Sequence, residues 1–181
     1  RNSYGEDDPM ASLMEDFIGI LEEEADLYKQ LLGLSSKKTP VIIAGDLNQL
    51  STITDDEQGV VASLAKLDRK RLTGMQDIAI VLNKDVKTLK LTDLVQVLEN
   101  RPKEQERLAA ARDRLKMEAD RAKRVNDQNQ MLLQSSLEMV QFEMNILHGY
   151  YMAPETANYT KAADTSGDSI GMTRGSFDAK Q

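Results

Sequence analysis

The sequence predicts an all-α fold, an antiparallel bundle of three long helices with a short connector helix and a flexible C-terminal tail. Three observations carry that expectation. Apolar residues recur every three or four positions over three long stretches, the period of a helix that buries one face. Only four prolines and ten glycines interrupt the 181 residues, and four of those glycines fall in the first five or last fifteen positions. Aromatic residues make up 4% of the chain and tryptophan is absent, so the core must be aliphatic. Long uninterrupted helices suit such a composition better than strands and turns do.

Residues 1–9 are acidic and polar and read as a disordered extension, with Met10 as a candidate natural start. The first helix is expected from Ser12 to Ser36. Ser12 and Glu15 have the spacing of a capping box, in which the serine accepts from the amide three residues on and the glutamate reaches back. Leu13, Phe17, Ile20, Glu24, Leu27, Leu31 and Leu34 then form a coiled-coil-like row with one acidic interruption. Thr39-Pro40 reads as an N-cap followed by proline at the first helical position, where the missing amide is harmless. The second helix runs from there to about Leu82, its apolar row passing from Ile43 through Leu50, Val60 and Leu67 to Ile78 and meeting Glu57 on the way. So short a turn allows only an antiparallel hairpin.

Asn83 to Leu91 is a polar connector, and Thr92 is expected to cap a short helix over residues 93–99. Pro102 opens the third long helix, which extends to about Tyr150. From there the chain becomes rich in Ala, Gly, Ser and Thr, so a helical domain over 10–151 gives way to a tail over 152–181.

Charge is distributed unevenly. The chain carries a net charge of −7, which argues against nucleic acid as a partner. Residues 1–26 hold nine acids against Arg1 alone, while residues 101–124 hold nine bases and five acids. An up-down-up bundle brings the acidic start of the first helix, the Arg69-Lys70-Arg71 end of the second and the basic start of the third to one end. The basic stretch is therefore expected to be matched within the fold.

Chemistry is harder to find. The absence of cysteine excludes disulfides and thiolate metal sites. No apolar run reaches the length of a membrane span, and the first residues lack the pattern of a signal peptide. The segment Pro40-Val-Ile-Ile-Ala-Gly-Asp46-Leu-Asn48 is similar to a strand end of metal-dependent phosphoester hydrolases. That chemistry needs further carboxylates and a histidine pair, and this chain has one histidine, His148, with no second ligand near it. No catalytic residue, metal site or cofactor site is expected.

The stretch Lys123 to Tyr151 holds more information. It opens with Asn126 and Asn129, read first as polar devices that fix helix register. It then turns apolar and methionine-rich. Leu133, Leu137, Val140, Met144, Leu147 and Tyr151 share one helical stripe, and Leu132, Met139, Ile146 and Tyr150 share a second. One stripe suffices to pack a helix, so the surplus marks a surface for another helix. Methionine side chains, being flexible, adapt to more than one partner. The covering helix could belong to a partner protein or to a second copy of this chain.

These residues resemble the FlgN family of flagellar export chaperones. The resemblance is carried by Asn126-x-x-Asn129 followed by Met131-Leu132-Leu133, then Ser136-Leu137 and an apolar helix ending in tyrosine. Ile43-Ala-Gly-Asp46-Leu47, the order of the helices and the terminal Ser176-Phe177-Asp178-Ala179-Lys180 support it. It implies a cytoplasmic chaperone without enzymatic activity or cofactor, which binds C-terminal amphipathic helices of hook–filament junction proteins and delivers them to the type III export apparatus. It also implies a groove lined by the first stripe, and an export-gate contact at Tyr150, Tyr151 or Tyr159.

Overall fold

Proline inside a helix removes one backbone donor and crowds the carbonyl four residues back, so Thr39-Pro40 reads naturally as a boundary. It is not one. In the computed structural model, which describes residues 9–152, the first helix α1 runs Pro9–Ala44 with Pro40 inside it. Val41 and Ile42 directly after the proline are buried, whereas Pro40 itself faces solvent. Burying two β-branched side chains offsets the lost hydrogen bond, and water can serve the freed Ser36 carbonyl on the exposed side.

The true boundary is Gly45-Asp46. Gly45 takes the left-handed conformation, with φ of 68°, at the position where glycine has no Cβ to clash. Its amide donates to the Ile42 carbonyl at 3.1 Å and that of Asp46 to Val41 at 3.2 Å, a Schellman closure that satisfies the last carbonyls of α1. Asp46 then caps the next helix, accepting from the Gln49 amide at 3.0 Å. Helix α2 accordingly spans Leu47–Val81. It closes the same way, with Asn83 in the left-handed region and the Lys84 amide donating to Ala79.

The short helix α3 spans Leu91–Val97, and its cap is Lys90 rather than Thr92. Asp93 reaches back to accept from the Lys90 amide at 2.8 Å, so the third helical residue, not the residue before the helix, supplies the capping carboxylate. Helix α4 spans Pro102–Met152, opened by proline as the sequence predicts. Among the described residues there is no strand. The capping box expected at Ser12 is absent because α1 has already begun at Pro9. Glu15 reaches across to Arg107 instead, at 2.7 Å.

The chain divides into two units, Arg1–Glu143 and Met144–Gln181. In the first, cross-helix pairs fix the topology. Ser35 pairs with Glu57 and Glu24 with Arg71, so α1 and α2 are antiparallel. Glu15 pairs with Arg107, Asp26 with Arg114 and Ser35 with Asn129, so α1 and α4 are parallel. The order is up-down-up, and the basic start of α4 is matched by acids of α1.

The apolar core lies at the α3 end. Met14, Phe17, Ile18 and Leu21 of α1 pack with Ile78 and Ala79 of α2, Leu94 and Leu98 from the α3 region, and Leu108 and Ala111 of α4. Gly74 lets α2 approach Phe17 closely, for a Cβ there would sit 3.1 Å from the Phe17 ring. The row predicted for α1 contributes Phe17 and Glu24 to the interior, with Leu13, Ile20, Leu27, Leu31 and Leu34 half-buried. Packing between two helices instead of against one widens the buried face to include Met14, Ile18, Leu21 and Ala25.

Away from α3 the buried seam becomes polar. Glu24, Ser35, Glu57, Glu118 and Asn129 all lie inside. Glu57 accepts from the Ser35 hydroxyl at 2.8 Å and from the Lys38 ammonium at 2.7 Å. Burial pushes the Glu24 carboxyl above its ordinary value of 4.5, with the Arg71 charge and hydrogen bond pulling the other way. The folded chain thus holds this proton more tightly than the unfolded one. That contribution to stability is fully present below pH 4.5 and is lost as pH rises through the raised folded value. Glu24→Gln is expected to flatten the melting temperature over that window. Arg71→Met should cost about 3 kcal/mol at neutral pH, since it strands a buried carboxylate, and the double substitution should recover most of it. Denaturant titration of the three variants checks both.

Candidate partner-binding surface

Helix α4 divides by burial. Up to Asn129 it buries Leu108, Ala111, Glu118, Ala122 and Asn129, at spacings of three, four or seven residues that keep one edge turned inward. Leu132 and Leu133 are half-buried, and every residue from Gln134 to Met152 is exposed. In the first unit Leu137 is 69% exposed and Val140 56%. In the second, Met144, Leu147 and Tyr151 are exposed as well, Tyr151 by 82%. Of the six stripe residues, then, only Leu133 is partly covered. The second stripe is equally bare at Met139, Ile146 and Tyr150. Tyr150 and Tyr151 meet edge to face with ring centroids 6.2 Å apart. Tyr159 lies outside the described residues, as do the expected tail beyond Met152 and the extension before Pro9.

Sequence reasoning passed over Phe142, which is 65% exposed. It stands one turn from Met139 and Ile146, so the i, i+3, i+4 rule already assigned it to the second stripe.

The two asparagines part company. Asn129 is buried, donates to the Ser35 carbonyl at 2.7 Å and accepts from the Thr39 hydroxyl at 2.7 Å. Asn126, one turn earlier, is exposed. Asn129 therefore ties α4 to α1 just before the bare segment begins. Asn129→Ala is expected to cost about 2 kcal/mol, because it removes two hydrogen bonds to α1 from a buried place. Asn126→Ala should change stability by less than about 0.5 kcal/mol. Thermal unfolding of the two variants side by side tests the difference.

A cleft of about 530 Å³ between α1, α2 and α4 is lined by Glu24, Tyr28, Leu64, Asp68, Arg71 and Leu115 among others. Three of its charged groups are committed to one another, since Arg71 bonds both Glu24 and Asp68. Asp46 of the hydrolase-like segment is used as a helix cap. Among the described residues no group of acids and histidines has metal-binding spacing, and no helix is long and apolar enough to cross a membrane.

A sequence profile described as FlgN protein matches residues 10–167, which covers α1 to α4 in full apart from Pro9. No curated protein and no solved structure matches the chain closely enough to be called similar. On the extent of that match the chain belongs to the FlgN family of flagellar export chaperones.

Proposed function

We propose that this chain binds the C-terminal amphipathic helices of hook–filament junction proteins in the cytoplasm, keeps them from assembling prematurely, and delivers them to the type III export gate. The observation that carries the reading is the unbroken exposure of Gln134–Met152, which includes ten large apolar side chains, Tyr150 and Tyr151 among them. A helix with anchors at i, i+3, i+4 and i+7 is the natural complement of the row Leu133, Leu137, Val140, Met144, Leu147 and Tyr151. Burial of each anchor contributes roughly 1.5–3 kcal/mol, enough for micromolar binding once the cost of association is met. Tyr150, Tyr151 and Tyr159 are the candidates for contact with the export gate.

Deleting residues 139–181 is expected to abolish binding of a purified junction protein, measured by calorimetry. Helices α1 and α2 should remain folded, because the apolar core draws on residues between Met14 and Ala111. Survival of binding in the deletion sinks the groove assignment. The second reading is a structural protein that homodimerises through the same row. It predicts twice the chain mass in sedimentation and no affinity for an amphipathic helix.

A further inference from the structure

Within the first unit, α4 loses its neighbours at a definite level. The Thr39 hydroxyl meets Asn129, and α1 has only five residues left, Pro40 to Ala44. At about 1.5 Å per residue, parallel helices starting from that tie bring the end of α1 level with Gln134, the residue at which full exposure begins. Helix α2 starts at the same hairpin tip, at Leu47. Below that level α4 presents one inward edge to both neighbours. Above it the sequence supplies two rows. Leu133, Leu137 and Val140 begin the first, and Leu132, Met139 and Phe142 begin the second, which Ile146 and Tyr150 continue in sequence.

At roughly 100° per residue the two rows are centred about 130° apart. Two neighbours in a three-helix bundle stand only about 60° apart as seen from the third, an angle that one wide seam serves. The wider angle cannot be covered by one helix, nor by extending the bundle upward. It requires separate occupants on separate faces.

Charge distinguishes the occupants. Between Met131 and Met152 the only acidic or basic residues besides His148 are Glu138 and Glu143. They fall on opposite edges of the second row, whereas the first row has Glu143 on one edge and Gln134, Gln141 and His148 on the other. A second copy of α4 would bring the same carboxylates on a chain of net charge −7. Like charges along a seam disfavour that pairing, and basic edges favour the alternative.

We propose that Leu132, Met139 and Phe142 form a second docking seam, filled by an amphipathic helix with basic edges while Leu133, Leu137 and Val140 hold another, so that a partner delivers two helices to α4. The inference rests on the partner-helix reading of the first row. The test uses the full chain and a synthetic amphipathic peptide with leucines at i, i+3, i+4 and i+7 and lysines along both edges. Calorimetry is expected to give two peptides per chain. Met139→Asp with Phe142→Asp should reduce this to one, and Leu137→Asp with Val140→Asp should remove the other. All four positions are exposed, and circular dichroism confirms that the variants keep their helices. One peptide per wild-type chain, lost only through Leu137 and Val140, overturns the second seam and leaves the first reading standing. One peptide lost only through Met139 and Phe142 overturns simultaneous binding and the first-row reading together, as does no binding at all. A chain that sediments as a dimer without peptide and becomes monomeric with Phe142→Asp assigns the row to a second copy and overturns the proposal.

Discussion

Aspartate at both Leu137 and Met144 is expected to lower affinity for a junction protein's C-terminal helix by roughly 100-fold or more, with no change in the melting temperature of the chain. The two sites are exposed in the free protein, so nothing in the core loses a contact. In the complex each would be a central anchor. Loss of two buried apolar side chains removes about 3–6 kcal/mol, and a tenfold change in affinity takes only about 1.4 kcal/mol. Desolvating two carboxylates against an apolar helix adds to the loss. Calorimetry with the purified client measures the first effect and a thermal melt the second. Retained affinity would remove the first row from consideration. A fallen melting temperature would show that the row is covered within the chain.

The second large effect is on stability. Phe17→Ala should cost about 3–5 kcal/mol in denaturant titration, because the ring is 1% exposed and fills the place where α1 meets α2. Gly74 sharpens the case. Its missing Cβ brings the α2 backbone against the ring, so on that side the cavity has no side chain to fill it. A loss of that size is a large part of the total for a domain of this kind. Leu31→Ala, on a half-buried side chain facing the polar half of the seam, should cost distinctly less.

The helical class, the hairpin, the connector helix and the extent of the last helix were all legible in the sequence, because each follows from periodicity and local capping chemistry. The hairpin turn was misplaced for a physical reason. Thr39-Pro40 and Gly45-Asp46 are both plausible boundaries, and only the burial of Val41 and Ile42 decides between them. Burial is a tertiary fact that no local pattern contains. The same limit applies to Asn126 and Asn129. Spacing places them near one another on the helix, yet the edge of the seam runs between them. The concentration of the apolar core near α3 was hidden too, since three- and four-residue spacings run with equal regularity along α1 and α2. The acidic interruptions at Glu24 and Glu57 are visible in the sequence, but only the pairing of Glu24 with Arg71 and of Ser35 with Glu57 and Asn129 places them inside the seam. At the far end of α4 the surplus of apolar residues is plain in the sequence, and the structure leaves those residues exposed.

The polar half of the seam also has a meaning in time. Hydrogen-bonded side chains in a buried seam exchange partners with water whenever the helices part briefly, and such partings need far less than global unfolding. The apolar contacts around Phe17 and Leu108 are therefore expected to open only with the whole fold, and the tie at Asn129 sooner, at the level where the exposed part of α4 begins. Amide hydrogen exchange along α4, slower near Leu108 than near Asn129, checks this.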